Sequence, residues 1–440
     1  MFLDFLFTHT PLFYFVQSFW RDEAFSVLFA QMPISVIITK SSIEPPLYYI
    51  LLHMWMKFFG TGEIATRSLS LVGFLLATIV VIEWANTLFK SHWLSKFMPF
   101  FFFLNPMLLY YAFEVRAYGW YIFFTVLSMY AYDLKKWRLY TIAVILGIYT
   151  HLYLGIIPLV HCIHYVYTHS LAGLLKQPKK IFHDPLIQSL GVIGIWIIPL
   201  LLRLVSEITK FKQSWYYPID LRLILSVLGN MFVGYEGTPW YLWIWTDILS
   251  MLLLVCFLLA ILPKKTRAQT IPLFLMIIIP LSIVISISFI KPLFTNRYFI
   301  PVTVAEILLL SYTIFSIPRK GIQKIIAGVF LIAVICFDGW YPTQHAKLDI
   351  RKTIREINSI ASPKDLIVAS DSLVFLETLY YAQNKANVRL YNPFNNEFPW
   401  YVGGAVYSPK YQLTTLPFYP VKAFFIETSG AYTIRYTTIH

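Results

Sequence analysis

Residues 240–290 read WYLWIWTDILSMLLLVCFLLAILPKKTRAQTIPLFLMIIIPLSIVISISFI, two apolar runs (Trp240 to Leu262, Ile271 to Ile290) separated by a short basic stretch around Lys264, Lys265 and Arg267. Each run is long enough to cross about 30 Å of hydrocarbon as a helix. The signature recurs at Leu69 to Phe89 and Leu186 to Val205. With 58% hydrophobic, 18% aromatic and only 13% charged residues among 440, the chain lies outside the range of soluble domains. Lipid is its solvent.

The net charge of +13 does not point to nucleic acid, because the basic residues are not gathered on one soluble segment. Lys90 and Lys96, then Lys135, Lys136 and Arg138, then Lys176, Lys179 and Lys180, then Lys264, Lys265 and Arg267, then Arg319, Lys320 and Lys324 fall in every second loop. Those loops are predicted cytoplasmic by the positive-inside rule. The alternate connections, at Glu114 to Tyr118, His151 to Gly155, Glu207 to Pro239 and Lys291 to Arg297, then face outward with everything beyond Trp340. Cys162, Cys256 and Cys336 sit inside apolar spans and propose neither a disulfide framework nor a metal site.

The pattern predicts spans at roughly 67–89, 97–112, 118–134, 139–151, 153–170, 186–205, 240–262, 270–290, 298–317 and 322–338. Several are short or carry proline, as expected of helices that line a cavity. Residues 1–20 lack the basic n-region of a signal peptide and are interrupted by His9, Thr10 and Pro11, so they leave open whether a full span precedes Arg21. Arg21 to Ala30 reads as an interfacial helix with Asp22 and Glu23 in its first turn. A turn at Thr39 to Ile43 leads through Glu44-Pro45-Pro46 into a second interfacial helix, Leu47 to Phe59, ended by Gly60. From Tyr341 the composition changes to that of a soluble α/β module of about 100 residues. In it, Lys347 to Ile360 is helical, Leu366 to Ala369 is a strand, Asp371 caps a helix to Tyr381, and Val388 to Tyr391 and Phe424 to Ile426 are strands. The expected fold is thus an α-helical polytopic membrane protein of about ten or eleven transmembrane helices. Residues 1–340 form the membrane domain, its first outward loop spans about 21–66, and 341–440 form an extracytoplasmic domain.

The predicted outward face collects Asp22, Glu23, Glu44, Glu114, Arg116, Tyr118, His151, Arg297 and Tyr298. Charged residues at span ends are costly unless they meet a wet cavity or a partner, so their gathering marks a candidate site. A carboxylate can take a proton from an attacking hydroxyl, and arginine's planar fork matches phosphate oxygens. Each residue also has a plainer role. Asp22 and Glu23 suit a helix N-terminus, Glu114 and Arg116 a local ion pair, Arg297 a snorkelling anchor, and His53 and His151 satisfied polar groups rather than metal ligands.

The order of these residues resembles the GT-C superfamily, in particular the branch of protein O-mannosyltransferases and lipid A aminoarabinose transferases. Trp20-Arg21-Asp22-Glu23-Ala24 is similar to its first-loop Asp-Glu-Ala motif. Glu44-Pro45-Pro46-Leu47-Tyr48-Tyr49 resembles its interfacial helix, and Phe59-Gly60-Thr61-Gly62-Glu63-Ile64-Ala65-Thr66-Arg67 the pattern after it. Glu114-Val115-Arg116-Ala117-Tyr118 resembles its Glu-x-Arg-x-Tyr loop and Asn296-Arg297-Tyr298 its late Arg-Tyr motif.

The resemblance implies a membrane glycosyltransferase that moves a sugar from a polyprenyl-monophosphate donor to an extracytoplasmic acceptor hydroxyl with inversion. Asp22, with Glu23, is then the catalytic carboxylate pair and Asp22 the base. Arg116 and Arg297 bind the donor phosphate, and Glu44, Glu114, Tyr118, His151 and Tyr298 support them. It implies partners among membrane lipids and an acceptor lipid, glycan or protein, and no required metal or cofactor, although Asp22, Glu23 and Glu44 are carboxylates able to gather a divalent ion. Family members usually carry a full span before the Asp-Glu motif, and some branches have a lysine where this chain has Glu44. Two alternatives share the outward charges. A flippase for lipid-linked sugars would place working charges at mid-membrane depth, whereas those named here sit at span ends. A glycan polymerase would use diphosphate-linked donors. Trp215, Tyr216, Tyr217, Tyr235 and Trp240, in or beside the loop from Lys210 to Pro239, either stack on sugars or anchor the interface.

Overall fold

The structure, a computed structural model, describes residues 2–41, 44–90, 92–169, 182–208, 218–233, 240–344, 346–396 and 404–438. Lys176, Lys179, Lys180 and the aromatic residues 215–217 and 235 lie outside them. The chain divides into two compact units. One comprises Ser42–Tyr48 and Ser70–Tyr341, and the other Met1–Ser41, Tyr49–Leu69 and Pro342–His440.

Among the described residues six helices are long and apolar enough to cross a membrane: Glu63–Phe89, Pro185–Ser206, Trp243–Ala260, Arg267–Ser288, Asn296–Ser316 and Lys320–Gln344. The chain is a multi-pass membrane protein. The remaining apolar helices are shorter than the sequence pattern predicts, for identifiable reasons. The expected span 97–112 is two helices, Leu94–Phe103 and Pro106–Ala112. Pro106 lacks the N–H that would continue the first, and the residue before a proline avoids helical geometry. Asn105 occupies the break, capping Leu108 N–H at 3.1 Å and donating to the Phe232 carbonyl at 2.8 Å. The expected spans 139–151 and 153–170 correspond to Trp137–Ile148 and Ile156–His169, joined through a 3-10 turn, Leu152–Gly155, at the expected outward connection. A helix at Leu221–Phe232 falls within a stretch read from sequence as an outward loop.

The larger unit is organised around Ile300–Ser316. The span containing it is 89% buried against 17–44% for the other five. Its neighbours include Arg267–Ser288, Trp243–Ala260, Leu94–Phe103 and Tyr118–Asp133. Close approach of two helices needs small residues. Here a Cβ on Gly119 would overlap the Ser70 backbone. Ser70 Oγ uses that approach to donate to the Arg116 carbonyl at 2.9 Å.

The smaller unit gathers the N-terminal helices and the C-terminal sheet. Phe2–His9 and Phe13–Val16 are short helices, not a span. Arg21–Ala30 and Leu47–Phe59 are helical as the pattern predicts, while a further short helix, Ile34–Lys40, takes in Thr39 and Lys40, the first two residues of the expected turn. The C-terminal sheet has strands β1 (Leu366–Ala369), β2 (Val388–Tyr391), β3 (Gln412–Leu413), β4 (Ala423–Ile426) and β5 (Tyr432–Arg435). Their order is β3-β2-β1-β4-β5, with only the β4–β5 pairing antiparallel. Ile350–Ile360 buries Ile350, Ile354 and Ile357, and Ser372–Tyr381 is capped by Asp371, which accepts from Leu373 N–H at 2.8 Å. The latter helix packs on Arg21–Ala30 within the unit.

Candidate active site

In the larger unit the connections at 113–117, 149–155 and 295–299 converge. Each follows from local chemistry. The Glu114–Arg116 loop turns sharply, with Arg116 N–H on the Glu114 carbonyl at 2.7 Å. Arg297 lies in a 3-10 turn, Asn296–Phe299, immediately before Ile300–Ser316, whose Pro301 suits a helix start. His151 is extended between a helix end and a 3-10 turn.

His151 stacks on Tyr121 at 4.4 Å between ring centroids and lies 5.3 Å from Tyr298 and 5.9 Å from Tyr118. Tyr121 Oη donates to the Tyr298 carbonyl at 2.9 Å, and the Tyr153 ring meets Tyr298 at a tilt, 4.8 Å between centroids. Tyr118 has Arg297, Arg116, Tyr298 and Glu114 within electrostatic reach. Glu114 and Arg297 are both buried. Burial and the charges of Arg116 and Arg297 hold the His151 imidazole far below its usual range, at about 3, so it is neutral. Its Nδ1 is buried without a hydrogen-bond partner. Arg116 forms an ion pair with Glu44, whose side chain is 43% exposed. The unit thus brings together Glu44, Glu114, Arg116, Tyr118, His151, Arg297 and Tyr298, and adds Tyr121 and Tyr153, which motif reading passed over because aromatic residues are everywhere in this chain. Two guanidinium groups stand beside a neutral imidazole and several phenols, with Glu44 and Glu114 as their nearby carboxylates, and guanidinium is a group able to take a phosphate oxygen.

The smaller unit holds Asp22 and Glu23. Asp22 accepts from Arg21 Nε at 2.9 Å and keeps 15% side-chain exposure. Glu23 is fully buried: Arg67 grips it with two bonds, Nε to Oε1 at 2.8 Å and Nη2 to Oε2 at 2.7 Å, and Lys347 Nζ reaches Oε2 at 3.1 Å. Arg67, also fully buried, spends its other N–H groups on the carbonyls of Phe15, Gln17 and Ser18 at 3.1, 2.6 and 3.3 Å. Glu63 receives Arg351 Nη1 at 2.9 Å and Tyr381 Oη at 2.7 Å. The Glu63-x-x-x-Arg67 pattern, quoted from sequence without a role, is therefore the lock that orders the segment around Asp22. His53 Nδ1 bonds the Ala30 carbonyl at 2.8 Å. Among the described residues no group of three or more His, Cys, Asp or Glu is arranged to hold a metal ion.

One group escaped motif reading although it stands in plain view in an apolar run. Glu306, in the middle of Ile300–Ser316, is fully buried, and neither carboxyl oxygen has a hydrogen-bond partner. Ionisable side chains in this chain are thus not confined to span ends.

No family model and no curated protein matches the chain. Several solved structures are similar to it, two of ArnT among them. ArnT from Cupriavidus metallidurans in the apo state aligns with a TM-score of 0.59 and 10% identity, covering 91% of this chain and 88% of that one. The same protein bound to undecaprenyl phosphate aligns with a TM-score of 0.62 and 11% identity, covering 97% and 93%. At such identity the likeness shows the fold: the chain has the polytopic helical architecture with a small C-terminal sheet domain expected from its hydropathy and composition.

Proposed function

We propose that the protein is an integral-membrane glycosyltransferase that moves a sugar from a polyprenyl-monophosphate donor to an acceptor hydroxyl on the extracytoplasmic side, with inversion at the sugar carbon. The observation that carries the reading is the convergence of Arg116 and Arg297 on a neutral His151. The similar ArnT structure bound to undecaprenyl phosphate supplies the ligand class. In the reaction, Asp22 takes the acceptor proton as the hydroxyl attacks the anomeric carbon, and the bond to the phosphate breaks with its electron pair. The leaving polyprenyl phosphate departs as an anion, so little acid catalysis is required, and Arg116 and Arg297 balance the growing charge. Glu23, buried between Arg67 and Lys347, holds the Asp22 helix in place. Purified protein incubated with a panel of radiolabelled polyprenyl-monophosphate sugars and a simple acceptor tests this. Release of polyprenyl phosphate from one donor, with inverted product configuration, is expected; turnover only of diphosphate-linked oligosaccharides would assign a polymerase instead.

A second reading, movement of lipid-linked sugars across the bilayer, draws on Glu306, an ionisable carboxyl group buried in mid-span. Under the transferase reading Glu306→Gln changes donor turnover less than about threefold, because the residue supplies no base. Loss of vesicle translocation in that variant, in a wild type that shows no transfer, would favour the transporter.

A further inference from the structure

Residues 17–20 join the short helix Phe13–Val16 to the helix Arg21–Ala30, which carries Asp22, and belong to no helix or strand. Buried backbone groups in such a connector need partners from elsewhere in the fold. Gln17, Ser18 and Phe19 are buried, and side chains distant in sequence supply the partners. Arg67 donates to the Gln17 and Ser18 carbonyls. Other partners come from beyond Tyr341. The Lys347 N–H donates to Gln17 Oε1 at 3.1 Å, the Arg351 N–H to Ser18 Oγ at 3.4 Å, and Arg351 Nη1 to the Val16 carbonyl at 3.3 Å. The shortest of these C-terminal contacts is made by the Phe19 N–H, which donates to Tyr381 Oη at 2.7 Å. We infer that Tyr381, supplied by the C-terminal domain, is a positioning residue for Asp22: its hydroxyl holds the Phe19 backbone and so fixes where the chain enters the Asp22 helix.

This rests on the reading of Asp22 as the base. A phenol has one hydrogen to donate and two lone pairs with which to accept, and Tyr381 uses all three. Its O–H goes to Glu63 Oε1 at 2.7 Å, while its oxygen accepts the Phe19 N–H and, at 3.3 Å, Ser18 Oγ. The neighbouring Tyr380 meets the Phe19 ring at 4.8 Å between centroids and donates to the Thr61 carbonyl at 2.7 Å. The last turn of Ser372–Tyr381 therefore ties the connector to the start of Glu63–Phe89. Trp20 follows Phe19 in an extended conformation and the helix begins at Arg21, so a shift at Phe19 is carried to Asp22 through two residues. A base displaced by about 1 Å loses rate. The donor phosphate is assigned to Arg116 and Arg297, which belong to the other unit, so donor KM is the property that positioning of Asp22 leaves unchanged.

The test uses the full-length protein with Tyr381→Phe, which keeps the ring and removes the hydroxyl, leaving the Phe19 N–H without its acceptor. Hydrogen exchange over residues 17–23 and steady-state donor turnover are read together. Exchange at Phe19 should quicken about tenfold or more, the effect of one buried donor left unpaired, and kcat should fall about tenfold with donor KM unchanged. In the Asp22→Asn background the same substitution should alter residual turnover less than about twofold, because a residue that acts only through Asp22 then has nothing left to position. Three results would each overturn the inference: wild-type exchange or wild-type kcat in folded Tyr381→Phe, a loss of donor binding that matches the loss in kcat, or a further fall of about tenfold in the Asp22→Asn background. If Tyr381→Phe does not fold, Ser18→Ala, which removes one of the three bonds on the same hydroxyl, decides by the same pattern at about two- to threefold. Full activity of Asp22→Asn alone would remove Asp22 as the base, while exchange at Phe19 would still decide whether Tyr381 holds the connector.

Discussion

His151 shows how two neighbouring cations and burial set one side chain's state. Its folded value of about 3 lies below the unfolded value near 6.5. The unfolded chain therefore binds a proton that the folded one refuses, and the stability that this difference supplies is full above about pH 6.5 and is lost as the pH falls toward 3. Thermal midpoints of detergent-solubilised protein at pH 7.5 and 5.0 check this: the drop in the wild type should exceed that in His151→Phe, which keeps the stack on Tyr121 without a titratable group. Equal drops would contradict it. At the same cluster, Glu44 occupies Arg116, a group assigned here to donor phosphate. Glu44→Gln should therefore tighten polyprenyl phosphate binding about two- to fivefold, the modest gain expected of a partly exposed pair, measured by competition with labelled lipid. Unchanged or weaker binding would show that Glu44 serves the site rather than competing for it. Of the candidate residues read from sequence, Glu44, Glu114, Arg116 and Arg297 drew the eye because charged groups are rare in so apolar a chain, and Tyr118, His151 and Tyr298 because they stand at or beside the outward connections that carry those charges. Tyr121 and Tyr153 did not, being two among 30 tyrosines whose roles depend on which ring meets which.

At the scale of elements, hydrophobic runs announce helices but not where they break. The span expected at 97–112 contained its own interruption, Asn105-Pro106, and proline's missing N–H and the asparagine cap were both readable there. The helix Leu221–Phe232 was hidden because its 12 residues are too short to cross a bilayer. The buried pairing of Glu23 with Arg67 and Lys347 was unreadable for a different reason: its partners stand 44 and 324 positions away, and only folding brings them together. Its energetics are asymmetric. A buried ion pair is weak evidence for net stability, yet removing one partner strands the other charge. Glu23→Gln should destabilise the protein by about 3–5 kcal/mol, seen as a lower denaturation midpoint, and substituting Arg67 as well should add far less than a second loss of that size. Additive losses would argue that the two do not act as a unit.

For the whole molecule, membrane character, helical class and the C-terminal sheet domain were all visible in composition and period. The grouping of the first 41 residues and 49–69 with Pro342–His440 was not, since it depends on long-range burial rather than local pattern. That grouping gives the C-terminal domain a direct part in ordering the Asp22 segment, through Lys347, Arg351 and Tyr381. The central claim remains that Asp22 is the base of a transferase using a polyprenyl-monophosphate sugar. Its most direct test is donor turnover by purified wild type and Asp22→Asn under identical conditions, with folding of both verified by thermal melting. Loss of about 100-fold or more in kcat with donor binding retained is the predicted result, and wild-type turnover by a folded Asp22→Asn variant would contradict the account.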